Sequence, residues 1–302
     1  MRISTLTAQA LSIGNIRSGM QEQIQAQQQL STGRRIVNPS DDPVASARAL
    51  DLTQSQNRTD QFVENTHRAS EILTAVETQY TAIQNNVFRL SELAINANNG
   101  ALSDKQLQSL SVEVEGSFRA LLGVANTRGA DGQYLFAGYQ SDTQPFTETA
   151  VAGSNIGTVA YGGDQGVRLI QISESRVLPV SEAGSSVFGD LFSTIKTLYD
   201  AMQAGRTSPT YTTDLQAAQG GLTRQRDNIS NLTGIVGARQ QELDGTKNAG
   251  EDLSLQYQSE ISNLTQVDYT DAISKFTQSQ QLLEVSRKVY QQVQSLSLFN
   301  YL

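Results

Sequence analysis

The chain has 302 residues, of which 38% are hydrophobic and 6% aromatic; it contains no Trp and no Cys and carries a formal net charge of -8. Without Cys there can be no disulfide, thiolate metal site or Cys nucleophile, and with His67 as the only histidine a catalytic triad or histidine-rich metal centre lacks its parts. Scattered Lys and Arg under a net acidic charge argue against nucleic acid or an anionic membrane as partner. So few hydrophobes suit narrow apolar stripes between helices better than a thick interior.

Residues 1–42 are expected to form an amino-terminal assembly helix. Ile13, Ile16, Met20, Ile24 and Leu30 are spaced for one helical face, with glutamines between them. The face is thin, so a helix here needs a partner. The first six residues carry no apolar core of a secretory signal, and no run of about 18 apolar residues occurs elsewhere. We therefore expect no Sec-type signal peptide and no membrane span. Residues 34–43 break the periodicity with Pro39, Pro43 and turn formers. Pro43 suits the first helical position with Asp42 as N-cap. Asp41 and Asp42 could be read as a carboxylate pair for metal or acid–base work, but capping explains them better.

Residues 43–132 are expected to be the N-terminal half of a helical rod. Phe62, Thr66, Ala69, Leu73, Val76, Tyr80, Ile83, Val87, Leu90, Ala94 and Ala97 repeat in steps of four and three, which is a heptad seam. A helix from Pro43 to near Asn98 is roughly 80 Å long. His67 falls within it and reads as a helix-surface residue. Asn98-Asn99-Gly100 ends the helix, and Ser103 with Gln106 forms a capping box for the next one. That second helix presents Leu107, Leu110, Val114, Phe118, Leu121 and Ala125 and should fold back antiparallel across the short connection.

Residues 133–185 read as a small β-rich outer domain inserted into the helical body. Strands are expected at 132–139, 158–161 and 167–172, with Gly162-Gly163-Asp164 as a turn. Residues 186–265 then supply the C-terminal half of the rod. Phe188, Leu191, Phe192, Ile195, Leu198, Tyr199 and Met202 suggest one amphipathic helix. After a loop near Pro209, a second heptad runs through Leu215, Ala218, Leu222, Gln225, Ile229, Leu232, Val236, Arg239 and Leu243. The rod core is expected from Leu73, Val76, Ile83 and Val87 against Leu222, Ile229 and Leu232. Gln225 and Arg239 either fix register or lie off the seam.

Residues 266–302 are expected to be a C-terminal assembly helix. Beyond the polar break at 268–271, Ile273, Phe276, Leu283, Tyr290 and Val293 form one stripe, and Leu282, Val289, Leu296 and Phe299 an adjoining one. Two apolar stripes on a terminal helix invite contact between subunits. The assembly surface is therefore expected from Ile13, Ile16, Met20, Ile24, Phe276, Leu283, Val289, Tyr290 and Leu296. The fold class is mainly α: a long antiparallel helical bundle or coiled-coil rod, with an inserted β-rich domain and terminal helices as a separate assembly region.

No Walker loop, G-x-G-x-x-G after a strand, H-E-x-x-H or G-x-S-x-G occurs. Arg34-Arg35 and the Arg224, Arg226 pair are the densest basic groups, and no calcium loop stands out. The chain reads as a structural protein made to polymerise, with no cofactor, no metal and no small-molecule substrate.

Five segments carry a family resemblance: Met1-Arg2-Ile3-Ser4-Thr5; Leu30-Ser31-Thr32-Gly33-Arg34-Arg35-Ile36 followed by Pro39-Ser40-Asp41-Asp42-Pro43; Glu92-Leu93-Ala94; Gly132-Gln133-Tyr134-Leu135-Phe136-Ala137-Gly138-Tyr139 with Pro145-Phe146; and Ser295-Leu296-Ser297-Leu298-Phe299-Asn300-Tyr301-Leu302. In these the chain resembles the flagellin superfamily and, more closely, its hook-associated proteins of the hook–filament junction. The resemblance covers 1–146 and 186–302. It implies paired terminal helices that are disordered in the free monomer, then a helical rod, then an outward β-rich domain. It also implies export by the flagellar type III apparatus without a cleaved signal, and a chaperone that holds the C-terminal helix. The implied place is outside the cell, in a ring of copies between hook-associated protein 1 and the first flagellin subunits. The alternatives are a flagellin of the filament itself and a cytoplasmic coiled-coil adaptor. An enzymatic insert is the weakest reading, because 137–185 is short and lacks both His and Cys.

Overall fold

The computed structural model describes residues 2–295, which form seven helices and four short strands. Contacts divide the chain into two units, Met1–Thr59 with Asp252–Leu302, and Asp60–Glu251. The division falls inside two long helices, α2 (Pro43–Ala97) and α6 (Tyr211–Thr265). The cause is local. The first turns of α2 and the last turns of α6 are bonded to the helix breaks beside them, and so belong with the terminal helices α1 (Arg2–Thr32) and α7 (Tyr269–Ser295).

In the larger unit, α2 and α6 run antiparallel. The Tyr211 hydroxyl donates to the Ala97 carbonyl at 2.7 Å, Gln219 Nε2 to the Ala94 carbonyl at 3.1 Å, and Gln240 Nε2 to Glu77 Oε2 at 2.9 Å. Leu73, Val76, Ile83 and Val87 are buried in one cluster with Leu222 and Ile229, and Leu232 packs against it half-buried. The heptads are thus the two sides of a seam. Helix α3 (Asp104–Ala125) folds back on α2, tied by the Arg89–Glu113 ion pair. Its start is held by Gln106, whose Oε1 accepts the Ser103 backbone N–H at 2.9 Å. Arg206, just after α5 (Leu191–Ala204), closes the far end of α2. Its guanidinium donates to the carbonyls of Ala97, Asn99 and Leu102 and lies over the Tyr211 ring, while its backbone N–H donates to Asp104 Oδ1. The carbonyls left free at a helix end are satisfied here by a neighbouring loop.

The segment between α3 and α5 holds two antiparallel hairpins, β1 (Phe146–Thr149) with β2 (Thr158–Tyr161), and β3 (Leu169–Gln171) with β4 (Val177–Pro179). The strand expected at 158–161 is present, and that at 167–172 is shortened to β3. The strand expected at 132–139 is not formed. Gly132 and Gly138 take φ values of 78° and 71°, a left-handed conformation that interrupts extension and that glycine adopts without strain. The segment is instead a buried coil carrying Leu135, Phe136 and Ala137. Asp164 pins it. Its Oδ1 accepts the N–H groups of Tyr139 at 2.8 Å and Gly166 at 2.7 Å, and a Cβ on Gly138 would lie 2.0 Å from that same oxygen. The turn at 162–164 therefore serves this coil and does not close a hairpin between β2 and β3.

The hairpins share the core of the helices. Phe136 stacks near Tyr80 of α2 and meets Phe188 edge-on; Phe146 contacts Phe188 and Phe192; Phe118 of α3 meets Phe192 at 5.7 Å. Aromatic rings cover large areas in such edge and offset contacts, which makes this cluster the keystone between α2, α3, α5 and the hairpins. Burial pushes the Tyr80 phenol well above its ordinary range. The single amphipathic helix expected over 188–202 is two, α4 (Gly184–Phe188) and α5, parted at Gly189, whose φ is 44°.

Gln225 and Arg239 neither leave the seam idle nor drift off it. Gln225 Nε2 donates to the Val187 carbonyl at 2.7 Å, and Arg239 pairs with Glu182 at 2.8 Å. Both fasten α6 to the chain returning from the hairpins. This is a polar use of core positions that leaves a buried amide satisfied.

Candidate assembly surface

In the smaller unit α1 and α7 lie side by side in antiparallel sense, Gly19 meeting Leu283 and Arg34 pairing with Gln266 in an isolated antiparallel bridge. The seam is made largely of small residues. Ala26, Ala272, Ser279 and Leu283 are buried, and a Cβ on Gly19 would come within 3.2 Å of Leu283. Glycine here lets the Leu283 side chain sit directly against the opposite backbone. Beside the seam, Glu22, Gln25 and Gln29 of α1 and Lys275, Gln278 and Leu282 of α7 line a groove of about 360 Å³.

The expected surface residues divide over this geometry. Leu283 is buried in the intrachain seam, and Ile16, Phe276 and Tyr290 are half-buried. Ile13, Met20, Ile24 and Val289 remain exposed; with Ile273, Leu282 and Val285 their exposure runs from 41 to 56%. Leu296 lies outside the described residues. The residues that sequence reasoning passed over are the small ones, Gly19, Ala26, Ala272 and Ser279. The seven-residue step from Gly19 to Ala26 and from Ala272 to Ser279 was the available signal, but small residues contribute little to an apolar pattern.

The breaks in the two helix pairs meet at the base of α1 and α7. The Arg35 backbone N–H donates to the Thr265 carbonyl at 2.7 Å and the Val267 N–H to the Gly33 carbonyl at 3.1 Å. The Arg35 guanidinium donates to the Leu264 carbonyl at 2.9 Å and pairs with Asp42 at 3.1 Å. Asp42 also caps α2, accepting the Ala45 N–H at 3.0 Å. These contacts hold its carboxyl below the ordinary value of 3.8, the Ala45 N–H first and the Arg35 hydrogen bond next. Asp41 Oδ2 accepts the N–H groups of Val37 and Asn38 at 3.1 and 2.8 Å. Both carboxylates therefore serve backbone capping.

Charge is unevenly shared. Of the Lys and Arg residues nine fall in the smaller unit and thirteen in the larger, and of the Asp and Glu residues nine and twenty-one. The terminal unit is thus neutral and the whole net charge sits on residues 60–251. Among the described residues no cluster of three His, Cys, Asp or Glu side chains is placed to hold a metal, and no helix is long and apolar enough to cross a membrane. His67 lies exposed on α2, 3.5 Å from Glu71.

Against known proteins, residues 3–141 match the bacterial flagellin N-terminal helical region and residues 220–302 the bacterial flagellin C-terminal helical region. The chain is 28% identical to flagellar hook-associated protein 3 of Escherichia coli (strain K12) over 321 residues, covering 99% of each. It is 28% identical to phase 1 flagellin of Salmonella naestved, but over 43% of this chain and 26% of that one. In fold it is similar to a putative flagellar hook-associated protein of Vibrio parahaemolyticus, with a TM-score of 0.68 and 18% identity over 75% of this chain and 100% of that one. The match at both helical ends, continued through the middle in the hook-associated relative, places the chain in the hook-associated protein 3 family of the flagellin superfamily.

Proposed function

We propose that this chain is the structural junction protein that links the hook to the flagellin filament, working outside the cell as a ring of copies. The observation that carries the reading is its end-to-end relation to hook-associated protein 3, including the region between the two flagellin-like ends, where the flagellin match stops. The physical part of the case is the α1 and α7 pair. Its two helices cover only a narrow seam between them and leave Ile13, Met20, Ile24, Leu282 and Val289 exposed. Such stripes are covered when copies or neighbouring proteins stack, so that ordering and burial proceed together. Ile13, Ile16, Met20, Ile24, Phe276, Leu283, Val289, Tyr290 and Leu296 remain our candidates for that assembly region. Leu283 and Ile16 act there through the pair, and the exposed residues through contact with other chains.

The finer partners follow from the family: hook-associated protein 1 on the hook side, flagellin on the filament side, and an export chaperone that shields the C-terminal helix before passage through the flagellar export apparatus. A deletion strain tests the role. Complete hooks without filaments, with flagellin lost to the medium, are expected; normal filaments on the deletion strain overturn it. Labelled antibody distinguishes the filament-subunit alternative, for which signal would run along the whole filament instead of forming one band at the hook end.

A further inference from the structure

The turn between α2 and α3 holds the one Asn-Gly pair of the sequence, Asn99-Gly100. Both residues are exposed, and the peptide that joins them is bonded on one side only. Its oxygen, the Asn99 carbonyl, accepts the Leu102 N–H at 3.2 Å and a second bond from the Arg206 guanidinium. Its nitrogen does the opposite: among the described residues the Gly100 N–H has no acceptor. The Asn99 side chain is folded over that nitrogen, because its Oδ1 accepts the Ala101 N–H at 3.1 Å in an Asx turn. A Cβ on Gly100 would meet open space, so nothing crowds the approach of side chain to nitrogen.

We propose that Asn99 is a site of spontaneous deamidation in the folded protein, and that Arg206 receives the carboxylate of its isoaspartyl product. The chemistry is an acyl transfer. Hydroxide takes the Gly100 amide proton, the nitrogen attacks Asn99 Cγ, and the Cγ–Nδ2 bond breaks as ammonia leaves, closing a succinimide ring. Water then opens the ring. Addition at Cγ gives an aspartyl residue. Addition at the main-chain carbonyl carbon gives an isoaspartyl link, in which the chain runs through Cγ and the former main-chain carbonyl becomes a free carboxylate. Arg206 already donates to that carbonyl oxygen, so its contact with a neutral acceptor becomes a charge-assisted pair. The same donors favour the earlier steps. A cation on the carbonyl oxygen draws electron density from the peptide and eases loss of the Gly100 proton, while the Ala101 N–H stabilises the oxyanion that develops on Oδ1.

Comparable positions each lack a part. Asp131 also folds over the following peptide, its Oδ1 accepting the Gln133 N–H at 3.0 Å, but the Gly132 nitrogen is engaged with the Gly129 carbonyl at 3.0 Å. After Asn98, the Asn99 N–H donates to the Asn96 carbonyl at 3.0 Å. Asp244-Gly245 lies inside α6, where the helix ladder holds the amide. Reaction at Asn99 adds negative charge to the unit that already carries the whole net charge.

The test is to incubate the purified full-length chain at mildly alkaline pH and map its peptides by mass spectrometry. Isoaspartate is scored by methyl transfer from S-adenosylmethionine with an isoaspartyl methyltransferase. Conversion should concentrate at Asn99 and rise in proportion to hydroxide. Gly100→Ala, which the open space admits, should slow it by about tenfold, because a Cβ obstructs the attacking nitrogen. An unconverted Asn99, conversion spread evenly over the asparagines, or an unchanged rate in Gly100→Ala would overturn the site. The part assigned to Arg206 is read from melting of the larger unit. Fresh and isoaspartyl-enriched chains should melt together at low salt and diverge as salt screens the new pair. An enriched chain that melts early even at low salt, or a comparison that ignores salt, would overturn that assignment.

Discussion

The two units hold together by different means. Residues 60–251 carry all of the net charge, yet they bury Tyr80, Phe118, Phe136 and Phe188 completely and lock the end of α2 with Arg206. The terminal unit is electrically neutral, relies on small residues along its seam, and keeps large hydrophobes exposed on both of its pairing helices. The comparison teaches that one unit is finished by its own chain and the other is left open. Neutrality suits the open unit, because like charges do not oppose the stacking of identical copies, whereas acidic larger units keep copies soluble until the ends engage.

The sharpest way to break this contrast is to empty the aromatic cluster. Phe136→Ala should destabilise the larger unit by about 3–5 kcal/mol, seen as a lowered thermal midpoint. A loss below about 1 kcal/mol would mean that the hairpins are not built into the helical core. Next in size, Leu283→Ala should cost about 2 kcal/mol locally and appear as faster exchange in α1 and α7, with the melting of the larger unit unchanged. If both units melted earlier, they would not be independent in stability. Gly116 on α3 has open space where a Cβ would go, so Gly116→Ala should raise the midpoint of the larger unit by the equivalent of about 0.5–1 kcal/mol. A loss of stability there would show that the position is not free.

Acid should give the smallest effect. The Asp42 carboxyl is held below its ordinary value by the Ala45 N–H and Arg35. Its contribution is thus present above the unfolded carboxylate range and is lost as pH falls through the depressed folded value. The group is exposed, so the change should be confined to faster exchange at Ala45 and around Arg35. Slower exchange on acidification would contradict the assigned contacts. The Glu242 carboxyl, lowered by Arg176, gives a matching control in the larger unit.

The heptads of α2 and α6 were legible in the sequence because the period repeats many times, and because Pro43 after Asp42 marks a helix start by local chemistry alone. The coil at 132–139 was not legible, although its aromatic and apolar residues resemble a strand. What decides its conformation is Asp164, 25 residues further on, together with two glycines whose φ the sequence does not state. Strands β1 and β4 have four and three residues, too short to show alternation. The faces of α1 were only half legible. Ile13, Met20 and Ile24 mark the side left open, while the intrachain seam is written in Gly19 and Ala26, which hydrophobic periodicity overlooks. Arg35 read as one of a basic pair, since its partners Leu264 and Thr265 are remote in sequence.

The β1–β2 hairpin turns at Gly153, where φ is 80° and nothing crowds the missing Cβ, whereas at Gly157 a Cβ would strike the Thr149 carbonyl at 2.2 Å. The tip and the stem of one small loop thus differ in what they tolerate. An epitope or fluorophore tag spliced between Ala152 and Gly153 would sit on exposed chain and leave the ladder and the aromatic keystone below it intact. The same cargo placed four residues later would prise the hairpin open from its stem.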